Sequence, residues 1–173
     1  MKSFIFSLLF LSLTSLSWAQ EKKSSVEERV DHLPEVVIET AGEEFSVYLP
    51  DNNPDKTVRK VEDTFIAYRL GKDFEGYENY MVFFKIKDGN LNAYYNENGK
   101  LIKTVERYGR TAMPREVHKT LSKKFPGWMI ANDNYLYSQE EGEILKKEYH
   151  IILKKDKDIH KLTVTSNGEI VAR

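Results

Sequence analysis

The chain contains no cysteine. Disulfides, thiolate metal sites and cysteine nucleophiles are excluded, as is a lipid anchor attached through a cysteine at a cleavage point. Any domain it forms must be held by its own core. Glycine and proline are sparse, at nine and five residues, and the glycines stand singly. No Gly-x-Gly run or Walker pattern is present to cradle a phosphate, and Ser122, Ser138 and Ser166 lack a nucleophile-elbow motif. Charge of one sign is missing too: 26 Lys and Arg stand against 27 Asp and Glu. A chain this close to neutral, with the signs mixed, gives no electrostatic ground for binding nucleic acid or an anionic membrane. No apolar run reaches the roughly 20 residues of a membrane-spanning helix.

What is present begins with a targeting pattern. Lys2 precedes an apolar stretch over residues 4–16, and Ser17-Trp18-Ala19 places small residues where a signal peptidase reads. Residues 1–19 are expected to be a secretory signal peptide cut before Gln20, leaving no membrane span after cleavage. The protein is then exported, to the periplasm or the medium, and is not a lipoprotein. Residues 20–35 are polar without a sustained period and read as a flexible leader.

One pattern occurs twice at an offset of 69 residues. Tyr80-Met81-Val82-Phe83-Phe84-Lys85 aligns with Tyr149-His150-Ile151-Ile152-Leu153-Lys154, and Asn98-Gly99 aligns with Asn167-Gly168. Asn-Gly between apolar flanks is a strong hairpin signal. Upstream, Pro54 and Pro114 each begin a helical stripe: Val58, Val61 and Phe65 in one, Val117, Leu121 and Phe125 in the other. The expected organisation is N-terminal strands in 36–53, with Pro50-Asp51-Asn52-Asn53-Pro54 as a turn cluster. A first α-β repeat follows over 54–108 and a second over 109–173. Each repeat is one helix followed by an antiparallel meander of three or four strands. In the first they are expected at 65–70, 77–87, 91–96 and 100–108, and in the second at 128–137, 144–155, 159–165 and 169–173. Helices on one face of an antiparallel sheet define an α+β fold.

Pro114, Phe125-Pro126-Gly127-Trp128, Tyr149 and Asn167-Gly168 give the chain a further likeness. It resembles the PepSY-like, β-lactamase-inhibitor-like secreted proteins of Bacteroidetes-type bacteria over roughly 55–173. The resemblance implies a tandem α+β fold, export, and in most members no assigned activity. No inhibitory residue can be matched here, so inhibition is not carried over.

The groups that could carry chemistry are few. His32 lies in the leader and His118 on a helix flank. A turn at Lys157-Asp158 would set His160 opposite Lys155 and point His150 to the other face, against a shared metal site. Glu140, Glu141 and Glu143 surround Gly142 without calcium-loop spacing and read as a solvated hairpin tip. Alternation along the strands assigns Tyr80, Val82, Phe84, Tyr149, Ile151 and Leu153 to a helix-covered core. Met81, Phe83, Tyr94 and Ile152 fall on the opposite face, and Tyr135 and Tyr137 are candidates to join them. Apolar side chains on a face that should be polar have two readings: a binding surface, or a surface covered by the 36–49 segment or by the two sheets packing together. On the first reading the protein is a non-catalytic binding module for a protein, peptide or envelope polymer, with no cofactor. An inhibitor or sensor of a periplasmic hydrolase is the alternative, and an enzyme with an unrecognised site a remoter one. Oligomeric state is open.

Overall fold

In a computed structural model, the described residues are 37–41, 44–71 and 76–172, all within one compact unit. The expected signal peptide and leader lie outside them. A hairpin comes first, strands β1 (Val37–Ala41) and β2 (Glu44–Tyr48), followed by helix α1 (Lys56–Ile66). Three strands come next: β3 (Asn79–Ile86), β4 (Gly89–Asn96) and β5 (Leu101–Gly109). Helix α2 (Arg115–Lys124) precedes β6 (Met129–Glu140), β7 (Glu143–Lys155), β8 (Asp158–Thr165) and β9 (Ile170–Ala172). Strands β3 to β9 form one seven-stranded sheet in sequence order, every pairing antiparallel. The fold is α+β. The two meanders are one sheet, joined where β5 pairs with β6.

The sheet has a closed face and an open one. Leu91, Ala93, Tyr95, Tyr108, Tyr135, Tyr149, Ile151, Leu153, Leu162 and Val164 are buried in a single core with Val58, Val61 and Phe65 of α1 and Val117 and Leu121 of α2. Both helices therefore cover the same, inner, face. Asp55 caps α1, its carboxylate accepting from the N–H of Thr57 and Val58, and Pro54 stands one residue outside the helix. The other carboxylate oxygen of Asp55 accepts from Ala112 N–H at 2.8 Å, which ties the start of α1 to the segment leading into α2. Burial of Asp55 works against its ionisation, but these hydrogen bonds outweigh it and hold its pKa below the usual value.

One expected strand is not formed. Residues 65–70 divide between the end of α1 and irregular chain. Phe65 extends the Val58, Val61 stripe by one turn and packs edge-on against Tyr48 and Phe84, ring centroids 4.8 and 5.5 Å away. That helical burial overrides the local strand preference of Ile66-Ala67-Tyr68. The first three-strand meander thus has no described strand on the far side of β3, whereas β7 is flanked by β6 and β8.

Register in the two meanders is the same at the 69-residue offset. Tyr80 pairs with Tyr95 as Tyr149 pairs with Val164, and Phe84 with Leu91 as Leu153 with His160. The ladder slips at Tyr94/Tyr95 and again at Thr163/Val164. The turns match as well: Gly99 N–H donates to Asn96 O at 3.0 Å, and Gly168 N–H to Thr165 O at 2.9 Å. The two-residue turns are Lys87-Asp88 and Asp156-Lys157, one position earlier than the sequence pattern indicated.

Gly168 locks α2 onto the second meander. Its φ is +90°, and an added Cβ would lie 2.8 Å from Glu116 O and 2.9 Å from Thr120 Oγ1. Thr120 Oγ1 donates to Gly168 O at 2.8 Å. Gly71 has a φ of +69° with open space around it. Gly71→Ala is expected to cost roughly 1–2 kcal/mol, the left-handed backbone penalty alone. Gly168→Ala is expected to cost about 1–3 kcal/mol more through overlap, read as the difference in denaturant midpoints.

Candidate functional site

Of the six residues expected to form an aromatic binding face, four lie on the outer face. Met81 and Phe83 of β3 are 42% and 60% exposed. Tyr94 of β4 is directly opposite Met81 and half-buried, and Asn92 is opposite Phe83. Beyond them come Lys103 and Val105 of β5. Asn90 donates to Asn92 Oδ1 at 2.6 Å. A shallow depression of about 510 Å³ lies at the β3–β4 turn end of this strip, lined by Phe83, Lys85, Asn90, Asn92, Arg107 and Asn134 among others.

Ile152 is on the same face but four strands away in the sheet order, about 19 Å at normal strand spacing. It borders a second depression of about 320 Å³ with His150, Lys161, Thr163 and Asn134. Asn134 lines both. Tyr135 and Tyr137 are a correction: they are fully buried on the inner face. Tyr135 is paired with Tyr149, ring centroids 4.7 Å apart, so the alternation that places Tyr149 in the core places Tyr135 and Tyr137 there with it.

The described part of the N-terminal segment is bound to the inner face and leaves the outer strip open. Tyr48 lies in the core. Leu101 N–H donates to Ser46 Oγ at 2.8 Å. The Gln139 amide accepts from Leu49 N–H at 2.8 Å and donates to Leu49 O at 3.1 Å, replacing a backbone strand partner with a side chain. Tyr137 Oη donates to the same carbonyl at 2.6 Å. At the hairpin tip, Gly142 sits so close to Val47 that an added Cβ would be 2.9 Å from Cγ1.

Under this strap is a buried acidic cluster that the sequence reading missed. Tyr48 Oη lies 2.8 Å from Glu106 Oε1 and 3.3 Å from Glu62 Oε1, as donor to both. Tyr108 Oη donates to the other Glu106 oxygen at 2.9 Å, and Asp51 N–H donates to Glu62 at 2.9 Å. Asp51 is itself buried. It accepts from Tyr135 Oη at 2.5 Å and from Asn53 at 2.9 Å, and faces the Lys147 ammonium at 2.6 Å. One tyrosine proton cannot satisfy two carboxylates fully, so a proton shared with the pair is favoured. Burial raises the pKa of Glu62 to about 7, with the Asp51 charge adding to it against the Asp51 N–H bond. Burial and the neighbouring Glu62 charge push Glu106 well up. Two sequence signals point to this cluster. Glu62 lies between Val58 and Phe65 on the buried helical stripe, and Glu106 alternates with Thr104 and Tyr108 on inner-face positions.

The histidines do not converge. His160 pairs with Leu153, not with Lys155 as the shifted turn had implied, and packs against Phe125 and Trp128 on the inner side. His150 is on the outer face, 3.0 Å from Glu148 Oε1. Glu141 and Glu143 are exposed at the hairpin tip, and Glu140 pairs with Lys103 at 2.9 Å. No described helix is long and apolar enough to cross a membrane.

No protein-family model matches the chain, and no curated protein matches it. Among solved structures, a DUF2874 family protein from Bacteroides ovatus ATCC 8483 is similar at 14% identity, over 70% of this chain and 86% of that one, with a TM-score of 0.36. A BLIP-like protein from Bacteroides fragilis NCTC 9343 is similar at 12% identity, over 72% of this chain and 85% of that one, with a TM-score of 0.32. The BLIP-like description is carried by one of them and a PepSY description by neither. At these TM-scores we draw no function from either.

The acidic cluster sets a pH dependence. A carboxyl whose folded pKa is raised above its unfolded value stabilises at low pH, and the contribution is lost as pH rises. For Glu62 the loss runs from about 4.5, its ordinary value, to about 7. Denaturant midpoints are expected to fall between pH 5 and pH 8, and Glu62→Gln to flatten that fall. A wild-type midpoint that rises over this range contradicts the assignment.

Proposed function

We propose that the chain is an exported, non-catalytic binding module that engages a protein, peptide or envelope polymer through the outer face of its sheet. The observation that carries this reading is the exposure of Phe83 and Met81 beside Tyr94 on a face that no described element covers. Phe, Met and Tyr are enriched in interface cores, and a few such anchors supply most of the affinity of a contact. Lys85 and Arg107 border the same strip. They have no ion-pair partner among the described residues, so the face presents cations together with its apolar groups. Ile152 belongs to the same face as a separate, more distant contact. A protein partner is favoured within this reading, and an inhibitor or sensor of a periplasmic hydrolase is its narrower form.

The reading includes export by a signal peptide over residues 1–19, without a lipid anchor. It also takes the mature body to be two copies of one helix-and-meander unit, residues 54–108 and 109–173. The common register, the repeated slip and the matching turn bonds support the duplication.

Replacing Phe83 and Tyr94 together with Ala is expected to leave the circular dichroism and unfolding midpoint within about 1 kcal/mol of wild type, since neither is core. The same change is expected to abolish capture of a partner from envelope extracts and from a panel of purified secreted hydrolases. Capture that survives the double substitution unchanged overturns the outer-face reading. A hydrolase inhibited by wild type and spared by the variant selects the inhibitor form.

A further inference from the structure

We propose that β3 is an interface strand through which two copies of the chain pair edge to edge. The molecule supplies its own comparison. Strands β3 and β7 have the same register against β4 and β8, but β7 has β6 on its other side and β3 has no described strand there. The consequence is visible in equivalent inner-face residues. Tyr149, Ile151 and Leu153 are 0–1% exposed, while Tyr80, Val82 and Phe84 are only half-buried. These side chains remain partly wet where no described strand flanks β3.

Of the features that normally prevent pairing, the edge has one, the exposed Lys85. Sheet edges are blunted by proline, bulges, inward charges or very short strands. Strand β3 is eight residues long without proline, Asn79-Tyr80-Met81-Val82-Phe83-Phe84-Lys85-Ile86. It pairs with β4 without a slip, and its one charged residue is Lys85. Ile86 and Gly89 flank the two-residue turn and so form a hydrogen-bonded pair. By alternation, the N–H and C=O groups of Asn79, Met81, Phe83 and Lys85 point away from β4.

A second copy fits this edge because the strand complements itself. An antiparallel pairing with Val82 opposite Val82 of the second copy engages all four outward-directed residues. It sets Met81 opposite Phe83 of the second copy and Tyr80 opposite Phe84, on the outer and inner faces respectively. Such cross-strand apolar pairs are the stabilising unit of a sheet. Lys85 meets Asn79, so no like charges oppose each other. The pairing gives the inner-face Tyr80, Val82 and Phe84 the neighbour that β7 obtains from β6, and makes the Met81, Phe83 strips of the two copies continuous. The inference is independent of what the outer face binds.

Light scattering is expected to give twice the chain mass for wild type at high micromolar concentration. Met81→Pro removes an outward N–H and no β3–β4 bond, so it is expected to halve the mass with little change in circular dichroism. Directly opposed residues of a non-hydrogen-bonded pair lie at disulfide distance. In this cysteine-free chain, Val82→Cys is therefore expected to form a cross-linked dimer on mild oxidation, while exposed Ile159→Cys does not. A wild type of single-chain mass, a Met81→Pro variant that folds and stays dimeric, or a Val82→Cys variant that fails to cross-link overturns the proposal. Should Met81→Pro not fold, the Val82→Cys result decides: a cross-link supports it and its absence overturns it.

Discussion

An antiparallel ladder of seven strands, each paired with the next, imposes a two-residue alternation on the sheet that only local register slips interrupt, and the sides of the protein follow from it. Without disulfides, the chain depends on apolar burial, and alternation delivers every other residue of each strand to one face. The amphipathic stripes of the two helices find their complement there. The other face receives the remaining residues, which the helices cannot reach. A one-residue slip would exchange the two sets, so the β5–β6 ladder that fuses the halves also keeps their faces in common.

The acidic cluster shows how the N-terminal strap is held without a continuous ladder. Side chains from the sheet take the role of a strand partner: the Gln139 amide, the hydroxyls of Tyr135 and Tyr137, and the Lys147 ammonium. Such a network specifies geometry closely because each unsatisfied member would leave a buried polar group at a cost. It also places three carboxyls in the core, two of them with raised pKa. The cluster therefore gives the strap definition at the expense of stability above neutral pH. Its place between the strap and helix α1, away from the outer face, makes it a structural element of this fold.

Much of this architecture was legible in the chain. Asn98-Gly99 and Asn167-Gly168 marked hairpins, the Val58, Val61, Phe65 and Val117, Leu121 spacings marked helices, and period-two patterns divided Tyr80, Val82 and Phe84 from Met81 and Phe83. The readings that failed did so where tertiary partners decide. Phe65 carries strand-like neighbours but is held helical by Tyr48 and Phe84, which are distant in sequence. Tyr135 and Tyr137 lie on a long strand whose face is set by its pairing with β5 and β7. Asp51 looked like part of a turn because nothing local announces Lys147 or Tyr135. Glu62 and Glu106 stood at inner-face positions, yet a carboxylate there usually signals a misassigned period, and only the surrounding tyrosines make it tenable.

Sidedness is the central claim, and hydroxyl-radical footprinting read by mass spectrometry tests it most directly. Met81, Phe83 and Tyr94 should be labelled together with the exposed Tyr77, while Tyr48, Tyr108, Tyr135, Tyr137 and Tyr149 stay protected until the protein unfolds. Rapid labelling of Tyr135 and Tyr137 in the folded protein, with Phe83 and Met81 protected, would contradict the account.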